Sequence, residues 1–207
     1  MKKSAFCIIA LLALPFLGQA QGKFGVRAGL STPNLDKETI DQNGLKLAIK
    51  DAKYGFHIGL FGRVPLGAKL YLQPEVLFNS NSVDFDVTDL GDGLINTVLT
   101  EKYQNLDIPL MLGYKLGPLR LEAGPAGHVF LKSKSELEEG VTGYMQRFKD
   151  FNLGYQAGLG LDIWKLLVDV RYEGNFNNFG EHMTIAGEQI NFSQNPSRWV
   201  MTVGFAF

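Results

Sequence analysis

The chain ends in RWVMTVGFAF, Arg198 to Phe207, and the reading of this stretch decides the fold. Trp199, Met201, Val203, Phe205 and Phe207 are large and apolar, while Val200, Thr202, Gly204 and Ala206 between them are smaller. A period of two means a β-strand with one greasy face. In a water-soluble protein that face would rest on a core and the smaller residues would meet water. The remainder of the chain has to say which side is which, and what the solvent is.

The same alternation recurs upstream in seven further segments, KFGVRAGLS, YGFHIGLFGRV, LYLQPEVLF, NLDIPLMLGYK, LRLEAGPAGHVF, FNLGYQAGLGLDI and LLVDVRYEGNF. Each carries large apolar residues on one parity, such as Phe56, Ile58 and Leu60, and mostly glycine or polar residues on the other, with Phe61, Tyr71, Leu77 and Met111 as exceptions. With a length of about 9–12 residues, each suits a tilted strand that crosses a bilayer. The links alternate too. Pro65-Leu66-Gly67-Ala68, Leu116-Gly117-Pro118 and Trp164-Lys165 are tight turns, whereas residues 32–53, 80–102, 131–150 and 177–197 are long loops. Short turns at one end and long loops at the other are the asymmetry of outer-membrane barrels, whose short turns are periplasmic. Both termini then fall on the periplasmic side.

The polar parity settles the solvent. It carries Arg27, His57, Arg63, Gln73, Glu75, Asp107, Arg120, Glu122, Asp162, Asp169, Arg171 and Glu173, interleaved with glycines. Glycine inside a narrow barrel makes room for long charged side chains from neighbouring strands, and on the outside it would have no such use. The greasy face therefore meets lipid, and closing the sheet pairs every backbone polar group. The expected fold is all-β, an eight-stranded antiparallel transmembrane barrel with short periplasmic turns and long extracellular loops. A soluble secreted barrel with a ligand cavity is the competing architecture. Pro74, Pro109 and Pro125 lie inside proposed strands, where proline cannot donate to the ladder, and local bulges or kinks are expected there.

The N-terminus fits export. Lys2 and Lys3, an apolar run from Ala5 to Phe16 and the small-residue stretch Gly18-Gln19-Ala20 read as a signal peptide over residues 1–20, cut after Ala20. The barrel domain then spans residues 21–207. Cys7 is the only cysteine and falls within that peptide, so the mature chain has no disulfide, thiolate metal site or cysteine nucleophile. Without Lys2 and Lys3, 18 basic residues remain against 21 acidic ones, a net charge of −3 that argues against nucleic-acid binding.

Taken together, GVRAGLS, YLQPEVLFNS, NLDIPLMLGYKLG, LEAGPAGHVFL, GYQAGLGLDI and VDVRYEGNFNN resemble the PorT-like outer-membrane β-barrel proteins of Bacteroidota, in order and spacing, over essentially the whole mature chain. The resemblance implies an outer-membrane barrel without assigned catalytic residues. One branch of that family is associated with protein secretion and gliding, and nothing in these residues selects it. Outer-membrane lipids and the barrel-assembly machinery, through the C-terminal strand ending at Phe207, are the expected partners, and nucleic acid is not one.

Chemistry is sparse. Of the three histidines, His57 and His128 have lumen parity and His182 falls in the last long loop, and no serine has lumen parity beside the first two. The expectation is a non-enzyme, with a lipid-modifying outer-membrane enzyme as the alternative. Asp84, Asp86, Asp89 and Asp92 in DFDVTDLGDG are hard ligands for cations, but not at EF-hand spacing, so no metal and no cofactor is assigned. The strongest site signal is the charged lumen itself: Arg27, Arg63, Glu75, Asp107, Arg120, Glu122, Asp162, Asp169, Arg171 and Glu173. An eight-stranded barrel is just wide enough to be filled by its side chains, and its charges should pair. Across the tight turns, Asp162 is expected beside Arg171 and Asp107 beside Arg120.

Overall fold

The computed structural model describes residues 22–34, 39–42, 45–52, 54–89, 95–135, 145–148, 151–176, 180–185, 188–190 and 197–207. The expected signal peptide with Cys7, and Asp92 of the acidic stretch, lie outside the described residues. Eight long strands make the wall: β1 (Lys23–Asn34), β2 (Gly55–Pro65), β3 (Leu70–Asp89), β4 (Ile95–Leu116), β5 (Leu119–Ser135), β6 (Phe151–Ile163), β7 (Leu166–Asn175) and β8 (Ser197–Ala206). Each pairs antiparallel with its neighbours in sequence, and β1 pairs with β8 to close the ring. The ladder from Gly25↔Ala206 to Asn34↔Ser197 is the closing seam. With no edge strand left in the ring, the backbone has no unpaired row to show to lipid.

Burial follows parity. Along β6 exposed and covered residues alternate, and the same pattern runs through β2, β7 and β8. The exposed set is apolar: Ile58, Leu60, Leu159, Met201 and Val203 are each more than half exposed. Aromatic residues gather toward the two ends of this band. Phe24, Phe205 and Phe207 pack together at the short-turn end, and Tyr155 with Phe176 and Tyr172 with Trp199 pack toward the loop end. Such girdles mark the two interfaces of a bilayer. Trp164, 84 % exposed, sits in the β6–β7 turn with φ of 58°, a conformation that usually calls for glycine.

Inward-facing glycines act as the sequence suggests. A methyl group added at Gly160 would run into the Arg120 guanidinium and the Asp169 carboxylate, and one at Gly113 would meet the Tyr71 ring.

Two expectations are corrected here. The register runs unchanged past all three prolines: Pro74 faces Leu110, Pro109 faces Ala126 and Pro125 faces Tyr155 without an inserted residue. The irregularity in the β4–β5 ladder lies instead between Gln104 and Asn105. Proline's fixed φ is close to extended backbone, so each one removes a donor without needing an extra residue. The second correction concerns the long loops. β3 and β4 stay paired as far as Asp89↔Ile95, and a hairpin of Thr39–Gln42 and Leu45–Ala52 adds to the free side of β3. Twenty residues of β3 at about 3.3 Å each reach roughly 66 Å, well beyond a hydrocarbon core of about 30 Å even when tilted. Further short strands, Met145–Phe148, Gly180–Ile185 and Glu188–Ile190, form a separate small sheet.

The prolines leave a local weakness. Leu110 follows Pro109, faces Pro74 on one side and falls opposite Pro125 on the other, so three adjacent strands lack donors at one height. Each missing ladder bond lowers local stability by about 1 kcal/mol. In hydrogen-exchange mass spectrometry, peptides around Leu110 are expected to exchange well before those around Val170 on β7. Equal protection would show that the donors are not missed.

Candidate functional site

The lumen is filled by side chains, and its chemistry is ionic. All ten charged residues expected there point inward; nine are buried, and Asp162, at the short-turn end, is partly exposed. At the barrel's centre Arg27 bridges Glu75 and Asp169, joining β1, β3 and β7. Arg120 of β5 pairs with Glu122, places Nη2 2.7 Å from Asp169 Oδ1, and sets Nε 2.6 Å from Asp162 Oδ1. Arg171 of β7 directs Nη2 at Glu75 Oε1 (2.8 Å) and Glu122 Oε2 (2.6 Å), and donates from Nη1 to Gln156 Oε1 at 3.2 Å. Tyr71 donates its hydroxyl to Glu122, and Gln73 Nε2 donates to Glu75 Oε1 at 2.7 Å. Planar guanidinium forks can serve acids on several strands at once, and lysine could not.

Toward the short turns, Arg63 donates from Nε to Gln73 Oε1 (2.7 Å) and from Nη1 to Asp162 Oδ2 (2.9 Å). Toward the loops, Gln156 carries the network onward by donating from Nε2 to Glu173 Oε2 at 2.6 Å. There Arg198 holds both Asp107 (Nη2 to Oδ2, 2.7 Å) and Glu173 (Nε to Oε1, 2.6 Å). Asn79 also donates to Asp107, and His128 Nδ1 lies 2.8 Å from Asp107 Oδ1. The connected chain Arg63–Gln73–Glu75–Arg171–Gln156–Glu173–Arg198 therefore runs nearly the length of the lumen.

Two expected pairs are not formed. Asp162 meets Arg63 and Arg120 rather than Arg171, and Asp107 meets His128 and Arg198 rather than Arg120. Hairpin register is the reason. The Trp164-Lys165 turn sets Asp162 opposite Leu167, which leaves Arg171 four residues along, opposite Gly158. In the next hairpin Asp107 lies opposite His128, while Arg120 lies opposite Lys115. Four residues of strand are about 13 Å, beyond the reach of a pair across the turn. Arg198 was not among the expected lumen residues because it stands at the foot of a long loop. Its signal was available: it shares the inward parity of Val200, Thr202, Gly204 and Ala206.

The histidines are engaged. His57 Nε2 lies 2.9 Å from Thr202 Oγ1. Contrary to the expectation that no lumen serine stands beside it, Ser31 is buried one pleat away on β1, opposite Gly55, but its hydroxyl bonds Asn81 at 3.1 Å. The side chain of His182 lies outside the described residues. Asp107, His128 and Glu173 bring potential metal-ligand atoms within 4.8 Å of one another. A cation there would have to displace Arg198, which already holds both carboxylates. Of the acidic loop, Asp84 accepts from Thr100 Oγ1 at 2.9 Å, and the side chains of Asp86 and Asp89 lie outside the described residues.

An apolar band of transmembrane height around a closed, charge-filled antiparallel ring defines an outer-membrane β-barrel. The chain belongs to the family described as outer membrane protein beta-barrel domain, whose profile matches residues 19–181. It is similar to the outer membrane protein OprG from Pseudomonas aeruginosa at 16% identity, covering 92% of this chain and 98% of that one with a TM-score of 0.53. It is also similar to AlkL, solved in DMPC lipid bilayers, at 14% identity with 92% of each chain covered and a TM-score of 0.48. The attachment invasion locus protein Ail of Yersinia pestis matches at 13% identity, 90% and 99% coverage and a TM-score of 0.43. No curated protein matches the chain. At this identity the likeness to OprG shows a shared fold.

Proposed function

We propose that this chain is a non-enzymatic outer-membrane barrel with a side-chain-filled lumen, acting through its loop-end surface in a structural or interaction role. Export through the periplasm, with cleavage after Ala20 and assembly through the strand ending at Phe207, belongs to the same reading. The observation that carries it is the ionic network: Arg27, Arg120 and Arg171 are fully buried, Arg27 and Arg171 each holding two acids and Arg120 three. A porin would keep that space for water. The strand extensions of β3 and β4, with the hairpin beside them, are what such a protein offers to partners beyond the membrane. The resemblance to PorT-like proteins supports an accessory task in protein export as one form of this role.

Planar-bilayer recording tests the plug. The purified barrel is expected to insert without a large steady conductance, and a stable porin-sized channel would refute the reading. The enzymatic alternative draws on the His57–Thr202 pair. Mass spectrometry of surface lipids from wild-type and deletion cells separates the two. An acyl change restored by the wild type but not by His57→Ala would favour the enzyme.

A further inference from the structure

We propose a binding site for a phosphate-type oxyanion at the short-turn mouth of the barrel, below the plug and sharing Arg63 and Tyr71 with it. Lys23, Arg63, Lys69 and Lys115, with Tyr71, line one cleft beneath the β2–β3 turn. Its volume is about 50 Å³. That is several times the roughly 10–15 Å³ one water needs, and enough for one tetrahedral oxyanion.

The cleft is built from positive charge. In the ladders, Lys23 stands directly opposite Arg63, and Lys115 directly opposite Arg120. Like charges placed opposite one another destabilise a sheet unless each finds an acid. Arg120 has its acids at mid-barrel, and Arg63 has Asp162. Among the described residues, Lys23, Lys69 and Lys115 form no ion pair; Lys69 and Lys115 lie instead over the rings of Tyr114 and Tyr71. Arg63 supplies the second sign. Its side chain is 4 % exposed and two of its nitrogens are taken, yet Nη2 has no partner. A buried guanidinium nitrogen without an acceptor is costly, and an oxyanion in the cleft would satisfy it. Three lysines and one free guanidinium nitrogen suit a tetrahedral phosphate group, free or esterified, better than a planar carboxylate.

The phosphate can belong to a soluble anion or to the headgroup of a phospholipid in the adjoining leaflet. Amide NMR of the full barrel in phosphate-free maltoside micelles distinguishes them, with inorganic phosphate in one arm and added dimyristoylphosphatidylglycerol in the other. Chloride at matched ionic strength is the control. Saturable shifts confined to the segments around Lys23, Lys69 and Lys115 are expected in at least one arm, and the arm names the source. Lys23→Gln with Lys115→Gln should weaken that binding at least tenfold, and Lys69→Gln alone should weaken it severalfold. These are rim side chains, so the variants should keep the heat-shifted gel mobility of a folded barrel. No saturable shift in either arm, or equal binding by the folded double variant, overturns the site.

Discussion

Replacing Arg171 with alanine is expected to lower the melting temperature of the folded barrel sharply while leaving it able to assemble. Arg171 comes from β7 and reaches Glu75 on β3, Glu122 on β5 and Gln156 on β6, so it ties four strands together through the lumen. It is 2 % exposed, and Glu75 and Glu122 are as well covered. Removing one partner of a buried ion pair typically costs about 3–5 kcal/mol, because the charge left behind has neither its partner nor water. Here two carboxylates are left, although Arg27 still holds Glu75 and Arg120 still holds Glu122. Water entering the vacated volume offsets part of the cost. The lipid-facing surface and the ladders are untouched, so assembly persists. Thermal melting by circular dichroism in detergent, beside heat-shifted gel mobility, measures the effect. Adding Glu122→Gln to Arg171→Ala should recover part of the loss. An unchanged melting midpoint would mean that the network contributes nothing to stability.

Leu159→Arg is expected to destabilise the inserted barrel by about 2–4 kcal/mol, the cost of arginine on the lipid face near the bilayer midplane. Leu159 is 53 % exposed in the middle of β6, with Leu121 and Val170 beside it in register. Were that face in water, as in a soluble secreted barrel, the same change would be close to neutral, because a surface charge replaces an exposed leucine. One substitution therefore separates the two architectures. Urea titration of folding into phosphatidylcholine vesicles gives the free energy. A change within about 0.5 kcal/mol of wild type would place the apolar face in water.

What could be read before the structure was known followed from local periodicity. Parity along β1 to β8 requires only that side chains alternate, and it separates Leu159 from Gly160 and Arg198 from Trp199 without any knowledge of neighbours. What failed depended on register. Asp162 meets Arg63 because the closed ring brings β2 and β6 face to face across the lumen, and it meets Arg120 because the β5–β6 register sets Arg120 opposite Gly160. Of the bulges or kinks expected at the prolines, the bulges are absent, because a missing donor needs no extra residue and an unbroken register carries Pro74, Pro109 and Pro125 in place. The extension of β3 does carry a local signal: Val83, Phe85 and Val87 alternate with Asp84, Asp86 and Thr88, but the aspartates read as an acidic loop although the pairing runs as far as Asp89↔Ile95.

The sequence by itself determined the eight strands, which face of each meets lipid, and the identity of ten of the charges inside. A two-residue period and the contrast between lipid and lumen are one-dimensional facts. Only the tertiary structure decided who pairs with whom, that Arg198 completes the loop-end cluster with Asp107 and Glu173, and that Lys23, Arg63, Lys69 and Lys115 gather at the short-turn mouth. Those depend on the stagger at which the sheet closes, which brings together side chains far apart in the chain and which no local pattern encodes.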